Sequence, residues 1–283
     1  MNYVLFHPLA NNSQGEAAKN EALPALKAKF GEEFEEKNLA GLDYDAFLKS
    51  LKSKDVVVLL GGDGTINHFA NIVYGKKLPC SFYVYRAGTG NDFLRDVENE
   101  VKDNLLEINK YVQNLPLIKV NDQEYRYVNG IGYGIDGMCC EVAEEKKAAG
   151  AKKISYAGIS IGLMFHGYKP PKAKITVDGE TKEYKKVWLA STMNGRCYGG
   201  GMIATPNQDR FSDKVSVLCF HGSSKLKTLL IFPKLFKGEH VKYTKNVEIR
   251  TGHEVTIEFD RPCALQIDGE VVKNVTKYTV IKK

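Results

Sequence analysis

Between Met1 and Leu115 the apolar residues fall into short continuous runs separated by stretches of helical period. The clearest run is Asp55-Val56-Val57-Val58-Leu59-Leu60. It does not alternate with polar residues, so it reads as a strand covered on both faces, as in a parallel sheet between helices. Tyr3-Val4-Leu5-Phe6 and the run from Ser81 to Tyr85 read as further strands, with a weaker one near Phe34. Helical periodicity predicts helices over Glu16 to Phe30, around Tyr44 to Leu51 and over Ile66 to Tyr74. Strands separated by helices imply βαβ units with right-handed crossovers.

Past Leu115 the period shortens to two. Ala173-Lys174-Ile175-Thr176-Val177, then Asp178-Gly179, then Glu180 to Tyr184 predict a hairpin closed by a type I′ turn. Val187 to Ala190, Val215 to Phe220, Val255 to Phe259 and Ala264 to Ile267 read as further strands, with one helical interruption from Cys140 to Gly167. The expected fold is therefore an α/β N-terminal domain with a parallel sheet over 1–115, followed by an antiparallel β-sandwich domain over 116–270. Residues 271–283 form a C-terminal segment that could return to the first domain. A ligand site is expected between the domains.

Composition narrows the classes of function. With 43% hydrophobic and 26% charged residues and no low-complexity tract, the chain is neither disordered nor fibrous. The net charge of +6 is spread along the chain, which argues against nucleic acid as a partner. It suits a polyphosphate or an anionic membrane surface. Cys80, Cys139, Cys140, Cys197, Cys219 and Cys263 form no C-x-x-C pair, so neither a disulfide framework nor a zinc site is expected, and a reducing compartment is. Met1 to Phe6 lacks the pattern of a signal peptide, and no uncharged apolar stretch approaches the ~20 residues needed to cross a bilayer. A cytoplasmic protein is expected, with any membrane contact peripheral and at the inner surface.

Candidate chemistry sits at two glycine-rich turns. Gly61-Gly62-Asp63-Gly64-Thr65 follows the best strand and precedes a helix. Its glycines allow close backbone approach to a ligand, and the unpaired N–H groups of the helix start suit phosphate. Asp63 could orient a reacting hydroxyl, take its proton or hold a magnesium-bound water. Neither a G-x-x-x-x-G-K-[ST] loop nor G-x-G-x-x-G is present, and a tight turn without ligand is the rival reading. A second turn, Arg86-Ala87-Gly88-Thr89-Gly90-Asn91-Asp92-Phe93, holds the equivalent place after the next strand. Two such turns on neighbouring strands would share one crevice.

These residues carry a family resemblance. Gly61 to Thr65 with Asn67, and Gly88 to Phe93 with Arg95 and Asp96, resemble the catalytic domain shared by diacylglycerol kinases, sphingosine kinases and bacterial lipid kinases. The first motif also occurs in NAD kinases and, in similar form, in phosphofructokinases; the second is specific to the lipid-kinase branch. Met193-Asn194-Gly195, Tyr198-Gly199-Gly200-Gly201-Met202 with Pro206, Leu235 to His240, and Gln266-Ile267-Asp268-Gly269-Glu270 continue the resemblance in the family's order.

The resemblance implies an NAD-kinase/diacylglycerol-kinase-like α/β domain, with ATP and Mg2+ as cofactors and a lipid substrate at the membrane surface. It makes Gly61, Gly62, Gly64, Thr65, Asn67, Thr89, Asn91 and Asp92 nucleotide contacts, with Asp63 and Asp92 supporting magnesium or the reaction centre. Glu270 matches the general base that deprotonates the lipid hydroxyl. From pattern alone Ile267-Asp268-Gly269-Glu270-Val271 is an ordinary Asp-Gly hairpin like Asp178-Gly179-Glu180, and only the family order favours the base. Asp213, with backbone carbonyls near Arg210 and Val215, matches a magnesium site away from the chemistry.

The chain departs from the family pattern at three places: Lys214 stands for the usual glycine, His7-Pro8 for Asn-Pro, and Pro116 for an aspartate. For membrane contact, Lys146, Lys147, Lys152 and Lys153 precede the apolar Ile154 to Phe165, and Lys169 and Lys172 follow it. A basic-flanked amphipathic helix of this kind suits an anionic interface, while a core helix with solvated ends is the alternative. Phe232, Leu235 and Phe236 with Lys234 and Lys237 are a second candidate. The expected function is ATP- and magnesium-dependent phosphorylation of a lipid hydroxyl, with diacylglycerol as default acceptor. An NAD-kinase-like phosphotransferase acting on a soluble acceptor, or a nucleotide-binding regulator, are the alternatives. A homodimer is compatible with either.

Overall fold

The structure is a computed structural model that describes residues 1–8, 14–87, 91–151 and 154–283. The chain divides into two units, Met1–Leu115 and Pro116–Lys283. In the first, β1 (Asn2–Phe6), β2 (Phe34–Asn38), β3 (Val56–Gly61), β4 (Ser81–Arg86) and β5 (Leu105–Glu107) form a sheet in the order β2-β1-β3-β4-β5. The first four strands are parallel, and β5 closes the edge antiparallel to β4. Helices α1 (Gly15–Phe30), α2 (Tyr44–Ser50), α3 (Asp63–Val73) and α4 (Asp92–Asp96) connect them. The unbroken apolar run of β3 is buried from Val57 to Gly61, as a central strand covered on both faces requires. Val4, Phe6, Val58 and Leu60 pack against Ala22 and Leu26 of α1.

The second unit is an antiparallel sandwich. Its sheet runs β15 (Val247–Gly252), β14 (Val215–His221), β11 (Val187–Met193), β8 (Gly130–Gly134), β16 (Glu254–Ile267), β17 (Glu270–Ile281), β6 (Leu117–Val120), β7 (Gln123–Arg126). The hairpin β9 (Ala173–Val177) and β10 (Glu180–Tyr184) joins through β9 to β16, and β12 (Cys197–Tyr198) pairs with β13 (Met202–Ile203) in a separate small sheet. Asp178 and Gly179 have φ of 48° and 85°, the pair of positive values a type I′ turn needs.

Two expected strands, Val255 to Phe259 and Ala264 to Ile267, are one strand of 14 residues. Its register shifts between Glu258 and Cys263, around Pro262, whose missing N–H is tolerated at such an irregularity. Before the shift β16 pairs with β9, and after it with β8, so one strand serves both layers. Tyr133 and Phe259 stack at 3.8 Å in the core between them.

Residues 271–283, expected as a segment that could return to the first domain, lie in the second unit instead. Glu270–Ile281 is β17, zipped to β16 on one side and to β6 on the other, which satisfies its backbone groups within this sheet. The single helical interruption is two helices, α5 (Ile135–Ala148) and α6 (Tyr156–Phe165), with α7 (Lys225–Ile231) following β14. No helix among the described residues is long and apolar enough to cross a membrane, and all six cysteines are free thiols.

Candidate functional site

In the first unit the first glycine-rich turn and Arg86-Ala87, which lead into the second, lie at the carboxyl ends of adjacent parallel strands, with Gly61 in register with Arg86. Gly62 caps α3, whose hydrogen bonding begins with Ile66 N–H donating to Gly62 O at 3.2 Å. The N–H groups of the preceding residues therefore have no intrahelical acceptor, and the positive end of the helix dipole lies at this turn. The glycines serve different ends. A Cβ on Gly61 would fall 2.1 Å from Thr65 Oγ1, so Gly61 makes room for the threonine side chain folded back over it. A Cβ on Gly64 would meet nothing within 4 Å among the described residues, so this position has room for a ligand.

Asp63 joins the two turns. Its Oδ2 accepts from Asp92 N–H at 3.0 Å and its Oδ1 from Phe93 N–H at 2.9 Å, capping α4 from a distant position. Asp92 opens α4, is buried, and forms an ion pair with Arg95 at 3.1 Å. Both aspartates proposed for the reaction centre are thus engaged in holding the second turn. Asn91 caps α4, its carbonyl accepting from Arg95 N–H at 2.9 Å. Asn67 lies on α3, where Asn71 Nδ2 donates to its carbonyl at 2.9 Å and its Oδ1 at 3.2 Å. Thr89, with Gly88 and Gly90, lies outside the described residues, as do Lys152 and Lys153.

Glu270, in the second unit, is the first residue of β17, directly after the turn Asp268-Gly269 with φ of 46° and 100°. Asp268 accepts from Val128, Asn129 and Gly130 N–H at 2.5, 2.9 and 2.9 Å, fastening the turn to the entry of β8. Gly269 N–H donates to Gln266 Oε1 at 2.7 Å. Glu270 is exposed on this pinned turn. Its counterpart Glu180 follows an equivalent turn, where Asp178 accepts from His253 and Glu254 N–H at 2.9 Å each, but it lies 3.5 Å from Arg250 in an ion pair.

The sequence reading missed Asp136, on the first turn of α5. Gln266 Nε2 donates to its Oδ2 at 3.0 Å, so a chain of bonds runs from Asp136 through Gln266 to the turn that carries Glu270. Burial pushes the Asp136 carboxyl up to about 6, against the lowering effect of bonds from Gln266 and Tyr198. Gly132 makes room for it, since a Cβ there would lie 1.5 Å from Asp136 Oδ2. The signal was Gly134-Ile135-Asp136-Gly137 after a glycine-rich strand, an echo of the first turn. Beside this stretch a cavity of about 410 Å³ is lined by Met138, Glu141, Tyr168, Arg261, Cys263 and Ala264.

The residues expected to hold magnesium away from the chemistry do not fit it. The carbonyl oxygen of Arg210 accepts from Lys282 Nζ at 2.7 Å, and the same ammonium donates to Asn194 Oδ1 at 2.7 Å. Asp213 Oδ2 faces His253 Nε2 at 3.1 Å, and Val215 opens β14 in register with Gly252. Burial lowers Lys282 to about 8, which leaves it protonated at neutral pH. A divalent ion on the Arg210 carbonyl would sit against that positive charge. Among the described residues no cluster of three or more His, Cys, Asp or Glu side chains could hold a metal ion.

Comparison with known proteins covers both units. The diacylglycerol kinase catalytic domain model matches residues 2–120, and the YegS C-terminal NAD kinase beta sandwich-like domain model matches residues 129–281. A diacylglycerol kinase of Mycobacterium tuberculosis is 24% identical over 218 residues, which are 75% of this chain and 68% of that protein. The crystal structure of a diacylglycerol kinase from Bacillus anthracis superposes with a TM-score of 0.67 at 20% identity, over 99% of this chain and 94% of the other, a likeness of fold.

Proposed function

The chain belongs to the diacylglycerol kinase catalytic domain family, with a C-terminal domain of the YegS type, and from that premise we propose that it is a lipid kinase. It takes ATP as its magnesium complex and transfers the γ-phosphoryl group to a lipid hydroxyl, diacylglycerol being the first acceptor to test. The observation that carries the nucleotide half is the start of α3 at a glycine-rich turn, with Gly64 exposed and Asp63 holding the first N–H groups of α4. Such a helix start binds phosphate through N–H donors and dipole. Phosphoryl transfer depends mainly on positioning and charge neutralisation, so one base suffices. In this reading the acceptor O–H proton passes to the Glu270 carboxylate as the oxygen attacks the γ-phosphorus, and ADP leaves.

The test is transfer of labelled phosphate from ATP with magnesium to a panel that includes diacylglycerol, sphingosine and NAD. Label on a lipid is the expected result; label on NAD alone would overturn the lipid reading. Glu270→Gln should lower kcat by about 10²- to 10⁴-fold while the melting temperature holds. Glu180→Gln, at the equivalent turn, should leave kcat unchanged. The engagement of both Asp63 and Asp92 in the second turn favours a second reading, a nucleotide-binding regulator. Nucleotide binding without transfer to any acceptor would select it.

A further inference from the structure

The second unit carries an apolar surface that its own core does not use. Six of the ten exposed large hydrophobic residues among those described are Tyr156, Ile161 and Phe165 of α6, Leu226 and Leu230 of α7, and Phe236 just beyond. Ile161 and Phe165 are four residues apart on one face of α6, and Leu226 and Leu230, 73% and 72% exposed, are four apart on one face of α7. The opposite faces are anchored: Ile159, Leu163 and Met164 of α6, Ile231 of α7 and Leu235 beyond it belong to one buried cluster. Lys225 Nζ donates to Phe165 O at 2.9 Å, fastening the start of α7 to the end of α6. The exposed side chains therefore stand on a fixed frame.

Charge identifies what this face meets. Residues 146–177, which include α6, contain no Asp or Glu and seven lysines; residues 214–238, which include α7, contain no Asp or Glu and five lysines. Lys234 pairs with Glu239 at 3.1 Å, but a second copy meeting this face symmetrically would still bring Lys225, Lys227 and Lys237 against their own counterparts. A core partner would not need the lysines at all. An anionic bilayer matches both features: apolar side chains enter the acyl boundary while lysines rest among the head groups.

We propose that the surface formed by α6, α7 and the segment to Lys237 docks on an anionic lipid bilayer, with Ile161, Phe165, Leu226, Leu230 and Phe236 as its inserting side chains. The inference deepens the lipid-kinase reading by naming the face that meets the acceptor's membrane. Its test measures binding without nucleotide or turnover, so the two stand or fall separately.

The experiment is sedimentation of the full chain with phosphatidylcholine vesicles, with and without phosphatidylglycerol, over a range of salt. Binding is expected only with phosphatidylglycerol and should weaken as salt rises. Leu226→Ser with Leu230→Ser should reduce partitioning on the order of ten- to a hundredfold at unchanged melting temperature, because both side chains are already in solvent. Lys227→Gln with Lys237→Gln should reduce it by about fivefold or more. Equal partitioning of the wild type and the leucine double variant would overturn the proposal. So would a wild-type dimer that the same variant dissociates, since the face would then belong to a second copy.

Discussion

Gly61 and Gly64 stand three positions apart in one turn, yet substitution should separate their roles. Gly61→Ala forces a methyl group into Thr65 and should cost about 1–3 kcal/mol, read as a lower denaturation midpoint. Gly64→Ala meets none of the described residues at the start of a helix and should leave stability unchanged or slightly raised. If ATP phosphates lie on that turn, the added methyl group intrudes on them, and the KM for ATP should rise about tenfold or more while the fold is intact. Asp136 gives a pH signature. Its folded carboxyl holds a proton between its ordinary value of 3.8 and about 6, where the unfolded chain has released it. This group therefore favours the folded state most at low pH, and its contribution is lost as pH rises through that window. Asp136→Asn should remove a slope on the order of 1–3 kcal/mol across the window, read as the difference between wild-type and variant melting curves.

At the scale of elements, two Asp-Gly turns of the same conformation differ in what their aspartates hold. Asp268 takes three backbone N–H groups from the entry of β8, and Asp178 takes two from the start of β16. Asp268→Ala should therefore cost more than Asp178→Ala, about 2–4 against about 1–3 kcal/mol in urea denaturation, with the slope m unchanged. These contacts also mark where sequence reading stops. The run Val56 to Leu60 announces a central parallel strand because every residue in it is apolar, and the hairpin at Asp178-Gly179 is legible because turn chemistry is local. The continuity of β16 was hidden by Asp260-Arg261-Pro262, which reads as a break until strands on both sides are seen to pair through it. Asp63 was legible as a residue of a phosphate turn. Its grip on Asp92 and Phe93 was not, because the partners lie 29 and 30 positions away. The pairing of Asp136 with Gln266 spans 130 positions and is invisible to any local pattern.

Across the whole molecule the lysines are spread along the chain, but the carboxylates are not: residues 146–177 and 214–238 hold none. The long acid-free stretches around α6 and α7 leave the carboxylates elsewhere, giving the second unit a side suited to negative surfaces. Lys282, one residue from the end of the chain, belongs to the same account. Its ammonium reaches Arg210 O and Asn194 Oδ1 across 72 and 88 positions, and it supplies the positive charge that the resemblance assigned to magnesium. Lys282→Met would remove both of these bonds and should lower the melting temperature, by the equivalent of about 2–4 kcal/mol. Melting of the nucleotide-free wild type should be indifferent to EDTA and to added magnesium. A counter-ion attached by a covalent side chain cannot be chelated, diluted or exchanged, and its stoichiometry is fixed when the chain is made. If the chain transfers phosphate as proposed, any sensitivity of that turnover to a chelator then reports on metal brought by the nucleotide, uncomplicated by loss of the fold.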